Sequence, residues 1–440
     1  MSIGMPVARD VRGALRRLTA LPAAVDWCRR KFELPASPGR NLAMEGVRGV
    51  AVLLVFCAHF SQLFGEYFRT GGLSWKLAHY PGAVGHTGVD LFFILSGYLI
   101  YGAVIRKPVE LGKFLRRRVL RIYPAFAAVF LLYAALSAAF PGESKIPAGV
   151  GPAAYYLLQN FLLLPGMFDT PAMNSVAWSL SYEFFYYLAL PVAVLVFGMR
   201  RWSARRRLLC CAGVGLAYLA VWWTAFAAGT SFPIRFRLLT FVFGIGMHEL
   251  LHSGWAQKPH GPRGEAGALA LFAGALVASY ELNAGRLAAL DPPLGILLEV
   301  FSVSVGFTAF LVYAAGRRGW IHRALVWTPL RWLGNMSYSY YLIHLAALHG
   351  AALLLPRVLP FSAVEPIPYF AAAAASFGIT AVAAAVLFVT VERPLSLDGR
   401  GFGTLGAARA IRARVFGALA VFAPSRPAAE GIDRREEPAP

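Results

Sequence analysis

Apolar residues in this chain fall in long blocks, not in the alternation of a half-buried strand or the single stripe of a surface helix. Crossing a bilayer takes about 20 mostly apolar residues. Ten blocks qualify, at about 47–65, 84–105, 120–140, 176–197, 208–228, 235–252, 266–280, 294–314, 333–355 and 367–391, the seventh being the shortest. Another apolar stretch, 152–165, is too short to span and reads as a re-entrant or surface segment. In hydrocarbon every backbone N–H and C=O must be paired inside its own segment, so such blocks predict helices. The expected fold class is all-α: a polytopic integral membrane protein with about ten transmembrane helices.

Composition agrees. The 440 residues are 58% apolar and 15% charged, against roughly 25% charged in an ordinary soluble domain. Mean hydropathy is +0.57. A cytosolic globular enzyme and any disordered or fibrous class are excluded. The net charge of +20 raises the question of a nucleic-acid partner, which the placement of the basic residues answers. Of 42 Lys and Arg, 35 fall in the N-terminal segment, the C-terminal tail and the loops after even-numbered blocks. The opposite loops hold seven: Arg69, Lys76, Lys145, Arg235, Arg237, Arg286 and Arg357. This alternation is the positive-inside pattern. It predicts a multi-pass protein of the plasma (inner) membrane with both termini cytoplasmic. The lipid bilayer is the expected partner and nucleic acid is not, since the charge is spread over six segments.

Residues 1–40 read as a basic cytoplasmic segment without the apolar core of a signal peptide. Val7, Val11, Leu15 and Leu18 recur at helical spacing among arginines, which suits either an interfacial helix or a solvated basic tail. Residues 41–394 form the expected membrane domain, and 395–440 a cytoplasmic, largely disordered tail rich in Pro, Glu and Arg. Four cysteines, two of them adjacent within a block, offer neither a disulfide framework nor metal-ligand spacing, so no metal is expected. No internal repeat is visible.

A charged group at mid-bilayer costs roughly 2.5–3.5 kcal/mol or more, so each is a site hypothesis. His59, Asp90, Glu183 and His344 lie inside blocks, with Arg48 and Glu392 at block ends. At about 1.5 Å per residue, the first four fall in the middle or outer half of the bilayer, at depths that permit one shared polar chamber. Arg48 and His59 are eleven residues apart, about three full turns, which puts them on one face of the first helix. They read either as a cationic mouth and a deep imidazole of one site, or as an interfacial anchor and a packing residue. Arg118 and Arg121, i and i+3 at the mouth of the third block, suit a phosphate clamp or simple topology determinants. Asp90 reads as a structural cross-helix partner or as part of the site.

Several motifs carry a resemblance. Glu45-Gly46-Val47-Arg48-Gly49 is followed by His59, and Gly88-Val89-Asp90-Leu91-Phe92-Phe93-Ile94-Leu95-Ser96-Gly97 opens the second block. Arg118-Val119-Leu120-Arg121 precedes the third, and Trp178-Ser179-Leu180 with Glu183, Tyr187 and Pro191 occupies the fourth. Leu333-Gly334, Ser337-Tyr338-Ser339 and His344 lie in the ninth, and Glu392-Arg393-Pro394 closes the last. In this order they resemble the acyltransferase-3 family of integral membrane O-acyltransferases, which acylate O-antigen, peptidoglycan, nodulation factors and macrolide sugars. The resemblance covers roughly 41–394. Two departures stand out: Glu45 replaces the family's usual Asp, and Phe184 stands where many relatives carry a second Glu after Glu183.

The resemblance implies transfer of an acyl group, with acetyl the expected one, from a coenzyme A thioester to a hydroxyl of a sugar-containing acceptor. The acceptor is a glycan, a lipid-linked sugar or a glycosylated small molecule. Acetyl-CoA or another acyl-CoA is then a donor substrate, and no cofactor is held permanently. On this reading Arg48, Arg118 and Arg121 bind the donor's phosphates. His59 is the general base, oriented by Glu183 or, less favoured, by Asp90. Tyr187 and Tyr338 are candidate oxyanion donors, and His344 and Glu392 are further site candidates. The competing reading is a multi-span transporter or flippase for a glycolipid or small substrate, with the same His and carboxylates as a proton relay.

Overall fold

The protein is described from a computed structural model, in residues 23, 25–35, 40–67, 71–168, 170–227, 236–253, 261–290, 292–316, 319–358 and 366–398. The expected interfacial helix around Val7 to Leu18 and almost all of the 395–440 tail lie outside them. Described helix in the N-terminal segment begins further on, over 25–32. Its Phe32 is buried and stacks on Phe388, with ring centroids 6.0 Å apart.

Fourteen helices follow among the described residues: α1 Leu42–Phe64, α2 Leu73–Gly85, α3 Gly88–Ile105, α4 Leu111–Ala139, α5 Val150–Phe161, α6 Ala177–Val196 and α7 Ala204–Ala227. Then come α8 Leu239–Leu251, α9 Pro262–Asn283, α10 Pro292–Ala315, α11 Trp320–Leu325, α12 Thr328–Asn335, α13 Ser337–Leu354 and α14 Pro366–Leu387, which runs on into a π-helical segment, Phe388–Leu397. The described residues contain no strand, only a lone bridge between Pro165 and Phe168. Nine of their helical stretches are long and apolar enough to cross a membrane, and the protein is a multi-pass membrane protein.

Several boundaries differ from the sequence expectation: α4 starts at Leu111, nine residues before the third block, and the ninth block is divided at Met336 between α12 and α13. The seventh block is a full 22-residue helix, α9, and not a short one. The sixth is the short one: α8 has 13 residues, preceded by the 3-10 turn Phe236–Leu238. The second block is broken at His86 and Thr87, where α2 ends and α3 begins. Thr87 is wholly buried and its hydroxyl donates to Val84 O at 2.7 Å, which holds the junction together. The 152–165 stretch forms α5, with Tyr155, Leu158 and Phe161 exposed, as suits an apolar surface segment.

The first helix is the hub. α1 packs against α2, α3, α12 and α13, so Arg48 and His59 are carried on an element with helices on several sides. Its start is capped by Asn41, whose side chain accepts from Ala43 N and donates to Ala315 O. α3 lies directly on α8. A Cβ on Gly97 would run into Phe241 O, and one on Gly244 into Ile94 O. Without a hydrophobic driving force between helices in lipid, association relies on close van der Waals approach at such small residues.

Gly244→Leu should force α3 and α8 apart. Overpacking of this kind costs about 1–3 kcal/mol. The expected result is a clear drop in the thermal unfolding midpoint of the detergent-purified protein, with Gly246→Leu, where a Cβ meets nothing within 4 Å, as the near-neutral control.

Candidate active site

The four intramembrane groups do not share one chamber. Helix faces divide them into three places.

The first is a cavity of ≈ 160 Å³ among α1, α3, α4, α6 and α13. Arg48, Arg118, Arg121, Glu183, Tyr187 and Tyr338 all line it. They come together because Arg48 lies in the second turn of α1, Arg118 and Arg121 near the start of α4, and Tyr338 at the start of α13. These four residues therefore sit near the helix ends that adjoin basic segments of the chain. Glu183 accepts from Ser96 Oγ at 2.6 Å and from Tyr187 OH at 2.5 Å. Tyr338 OH is already committed, donating to Ile122 O at 2.8 Å.

The three arginines are not equivalent. Arg121 donates to Glu392 Oε1 at 2.5 Å, and Glu392 is 0% exposed. The other Glu392 oxygen accepts from the Ser339 amide at 3.0 Å and from the Ser339 hydroxyl at 2.5 Å. Glu392 thus ties α4 to α13 from the π-helical segment, and Arg121 is already neutralised. Arg118 has no carboxylate partner among the described residues. Its guanidinium lies 5.1 Å from the Phe114 ring centroid and 5.0 Å from that of Tyr187, a cation–π arrangement. Arg48 forms no hydrogen bond or ion pair among the described residues, although it lines the cavity. Arg48 and Arg118 are therefore the cations free to meet an anion.

The second place is an imidazole pair deeper along α1. His59 and His344 have ring centroids 5.2 Å apart. His59 Nδ1 is 3.3 Å from Gln62 Oε1. The structure brings His344 to His59, and leaves Glu183 in the arginine cavity. His344 is wholly buried, and its Nδ1 sits 3.0 Å from Tyr340 O and 2.8 Å from Tyr341 O. Carbonyl oxygens only accept, so Nδ1 carries the proton and Nε2 presents a lone pair. That Nε2 is buried without a hydrogen-bond partner.

The third place is an ion-pair cluster at the other end of α3. Asp90, 1% exposed, pairs with Arg237. Arg237 Nη2 also lies 3.7 Å from Glu299 Oε1, which receives His86 Nε2 at 2.5 Å and Ser279 Oγ at 2.9 Å. Asp90 is thereby a cross-helix tie between α3, the start of α8 and α10, away from His59 and the cavity.

Similarity to known proteins matches this geometry. Residues 41–389 match the acyltransferase-3 family, described as "Acyltransferase domain". The chain belongs to the acyltransferase-3 family. It is 27% identical over 393 residues to acyltransferase MdmB of Streptomyces mycarofaciens, covering 83% of this chain and 95% of that protein. It is also 27% identical over 322 residues to peptidoglycan O-acetyltransferase OatA of Listeria monocytogenes, covering 69% of this chain and 48% of OatA. No solved structure gives a significant match. The protein is thus a membrane acyltransferase.

As in the family pattern, the motifs of the first, second, third, fourth and ninth blocks all send residues to the arginine cavity. Sequence reasoning missed several residues around it. Ser96, Ser179 and Tyr341 line the cavity; the two serines stand inside the motifs of the second and fourth blocks but were not singled out as site residues, and Tyr341 was not marked either. Glu299 was findable: it is a lone acid inside the eighth block, subject to the same rule that picked out Asp90. Arg237 was counted as a loop residue, and its placement depended on a partner that only folding reveals.

Removing Glu392 should leave Arg121 uncompensated in a buried setting, which typically costs about 3–5 kcal/mol. Glu392→Ala is expected to lower the unfolding midpoint in detergent sharply. The double substitution Arg121→Met with Glu392→Met should recover most of that loss, since no charge is then stranded.

Proposed function

We propose that this acyltransferase moves an acetyl group from acetyl-coenzyme A to a hydroxyl of a sugar-containing acceptor, with His59 as general base. One observation carries the reading. A cavity with two unpaired arginines lies at one end of α1, and an imidazole pair, with His344 buried and His59 partly so, lies about 16 Å further along the same helix face. Phosphates want the first and acyl transfer wants the second. The basic end of the bundle faces the cytoplasm in this proposal, by the positive-inside pattern, and the membrane is the plasma (inner) membrane. Coenzyme A then arrives from the side where it is made. Its phosphates meet Arg48 and Arg118, and its unbranched arm carries the thioester inwards.

The step balances as follows. His59 takes the proton of the acceptor hydroxyl as the oxygen attacks the thioester carbonyl. The tetrahedral adduct expels coenzyme A as a thiolate, and the imidazolium returns the proton to sulfur. His344 is a positioning residue in this proposal: its ring lies 5.2 Å from that of His59, centroid to centroid, close enough for its free Nε2 to stabilise the imidazolium, the orienting role a third group plays in acyl transfer. Tyr187, hydrogen-bonded to Glu183, stays with the donor pocket. The sugar acceptor is supported by the likeness to OatA, a peptidoglycan O-acetyltransferase.

The direct test is the purified full chain with radiolabelled acetyl-coenzyme A, alongside mass spectrometry of glycans and glycolipids from cells with and without the gene. A 42-mass-unit difference in one glycan class is the expected result; unchanged glycans and no labelled ester would overturn the reading. General-base catalysis is worth about 10²–10⁴-fold, so His59→Ala should lower kcat by that much. Arg48→Ala should instead act mainly by raising KM for acetyl-coenzyme A.

A further inference from the structure

His59 has one side-chain hydrogen-bond partner among the described residues. It is Gln62, whose Oε1 lies 3.3 Å from His59 Nδ1. The two are i and i+3 on α1, the spacing at which helical side chains meet. Gln62 is exposed, two residues before α1 ends at Phe64. It makes no other hydrogen bond among the described residues.

α1 is fixed around this pair. Phe56, Phe60 and Phe64 are buried and stack in a ladder, with successive ring centroids 5.5 and 4.8 Å apart. Phe377 and Tyr369 of α14 meet that ladder edge-on. On another side Ser61 lies so close to Gly82 of α2 that a Cβ on the glycine would run into it. Helices therefore hold the rotation of α1, and both members of the pair sit on one rigid element.

A neutral imidazole carries its proton on one nitrogen, and only the other can act as a base. An amide oxygen only accepts. With Gln62 Oε1 on Nδ1, the proton sits on Nδ1 and the lone pair is left at Nε2. Backbone carbonyls do the same for His344. We infer that Gln62 is the positioning residue that sets the tautomer of His59, so that Nε2 is the atom that takes the acceptor's proton. This rests on the general-base reading above. The role differs from that of His344: Gln62 holds the neutral ring before the proton arrives, and His344 acts on the imidazolium afterwards. An amide does this without adding a charge to the span, which a carboxylate would.

The test reads the tautomer directly. The full chain, isotopically labelled on the ring nitrogens of histidine, is studied in nanodiscs by solid-state NMR at a pH where His59 is neutral, with His59→Asn identifying its signals. The wild type should show the proton on Nδ1. Gln62→Leu, which keeps the bulk and loses the acceptor, should populate the Nε2–H form and lower kcat about tenfold or more, with KM for acetyl-coenzyme A unchanged. Gln62→Glu keeps an acceptor in place and should retain the Nδ1–H form and most of the activity. Its carboxylate favours the charged ring, so the acid limb of the kcat profile should move about one unit or more towards higher pH. His344 and His349 of α13 are the titratable groups among the described residues that act on His59. They are the same in every variant, so the shift belongs to position 62. A residue that merely closed the end of α1 would move neither tautomer nor profile. An active wild type with its proton on Nε2 overturns this inference alone, as does an unchanged tautomer in Gln62→Leu. If Gln62→Leu fails to fold, an unmoved pH profile in Gln62→Glu overturns it instead. Full transfer by His59→Asn overturns the general-base reading and this inference with it.

Discussion

Charge is expensive in hydrocarbon, and the arrangement of this bundle follows from that constraint. Nearly every buried acid has been given a partner on another helix. Asp90 and Glu299 share Arg237, Glu249 takes Arg207 and Tyr101, and Glu392 takes Arg121 and Ser339. Glu45 takes Arg40 and Arg331 at the edge of the bundle. Apart from Arg40–Glu45, these pairs join different helical elements of the bundle, so the polar groups act as registration marks for helices whose apolar surfaces are otherwise interchangeable. Against this background Arg48 and Arg118 are conspicuous. A cation that lines a cavity and lacks a carboxylate is unfinished unless an anion completes it.

The imidazole pair follows the same logic with the opposite outcome. A neutral ring can be buried without a counter-ion, provided its N–H finds an acceptor. His344 finds two in the backbone of its own helix. Its other nitrogen is then left as a lone pair in an apolar setting, available to a group that arrives with a proton. Cavity and imidazoles thus differ in charge state, one holding unpaired cations and the other a neutral ring with an unpaired nitrogen. The shared stem of α1 keeps them at a set separation.

Much of this was legible in the sequence because membrane chains separate two signals cleanly. Apolar blocks report helices, and loop charge reports alternation. The block boundaries held best where a long run of apolar residues stood alone, as in α6, whereas α4 begins at Leu111, nine residues before the apolar run that marked it. They slipped at α8 and α9, where arginines or acids interrupt the run and hydropathy cannot weigh a buried ion pair. The motif residues Arg48, His59 and Glu183 stood out because each is costly where it sits. Their grouping did not. Depth along a helix can be counted from residue number, but which neighbour a side chain faces depends on rotation and packing. That is why Glu183 turned out to face Ser96 and Tyr187, and His59 to face a second histidine.

The π-helical segment Phe388–Leu397 has a consequence for how this chain tolerates change. A π turn closes i→i+5 hydrogen bonds and so holds about one more residue than an α turn. Removal of a single residue between Phe388 and Glu392 would let the segment wind as an ordinary helix. Every later side chain would then swing by about 100°, and the carboxylate would leave Arg121 and Ser339. A length change of one is therefore more damaging here than most substitutions, so this stretch should vary in residue identity long before it varies in spacing.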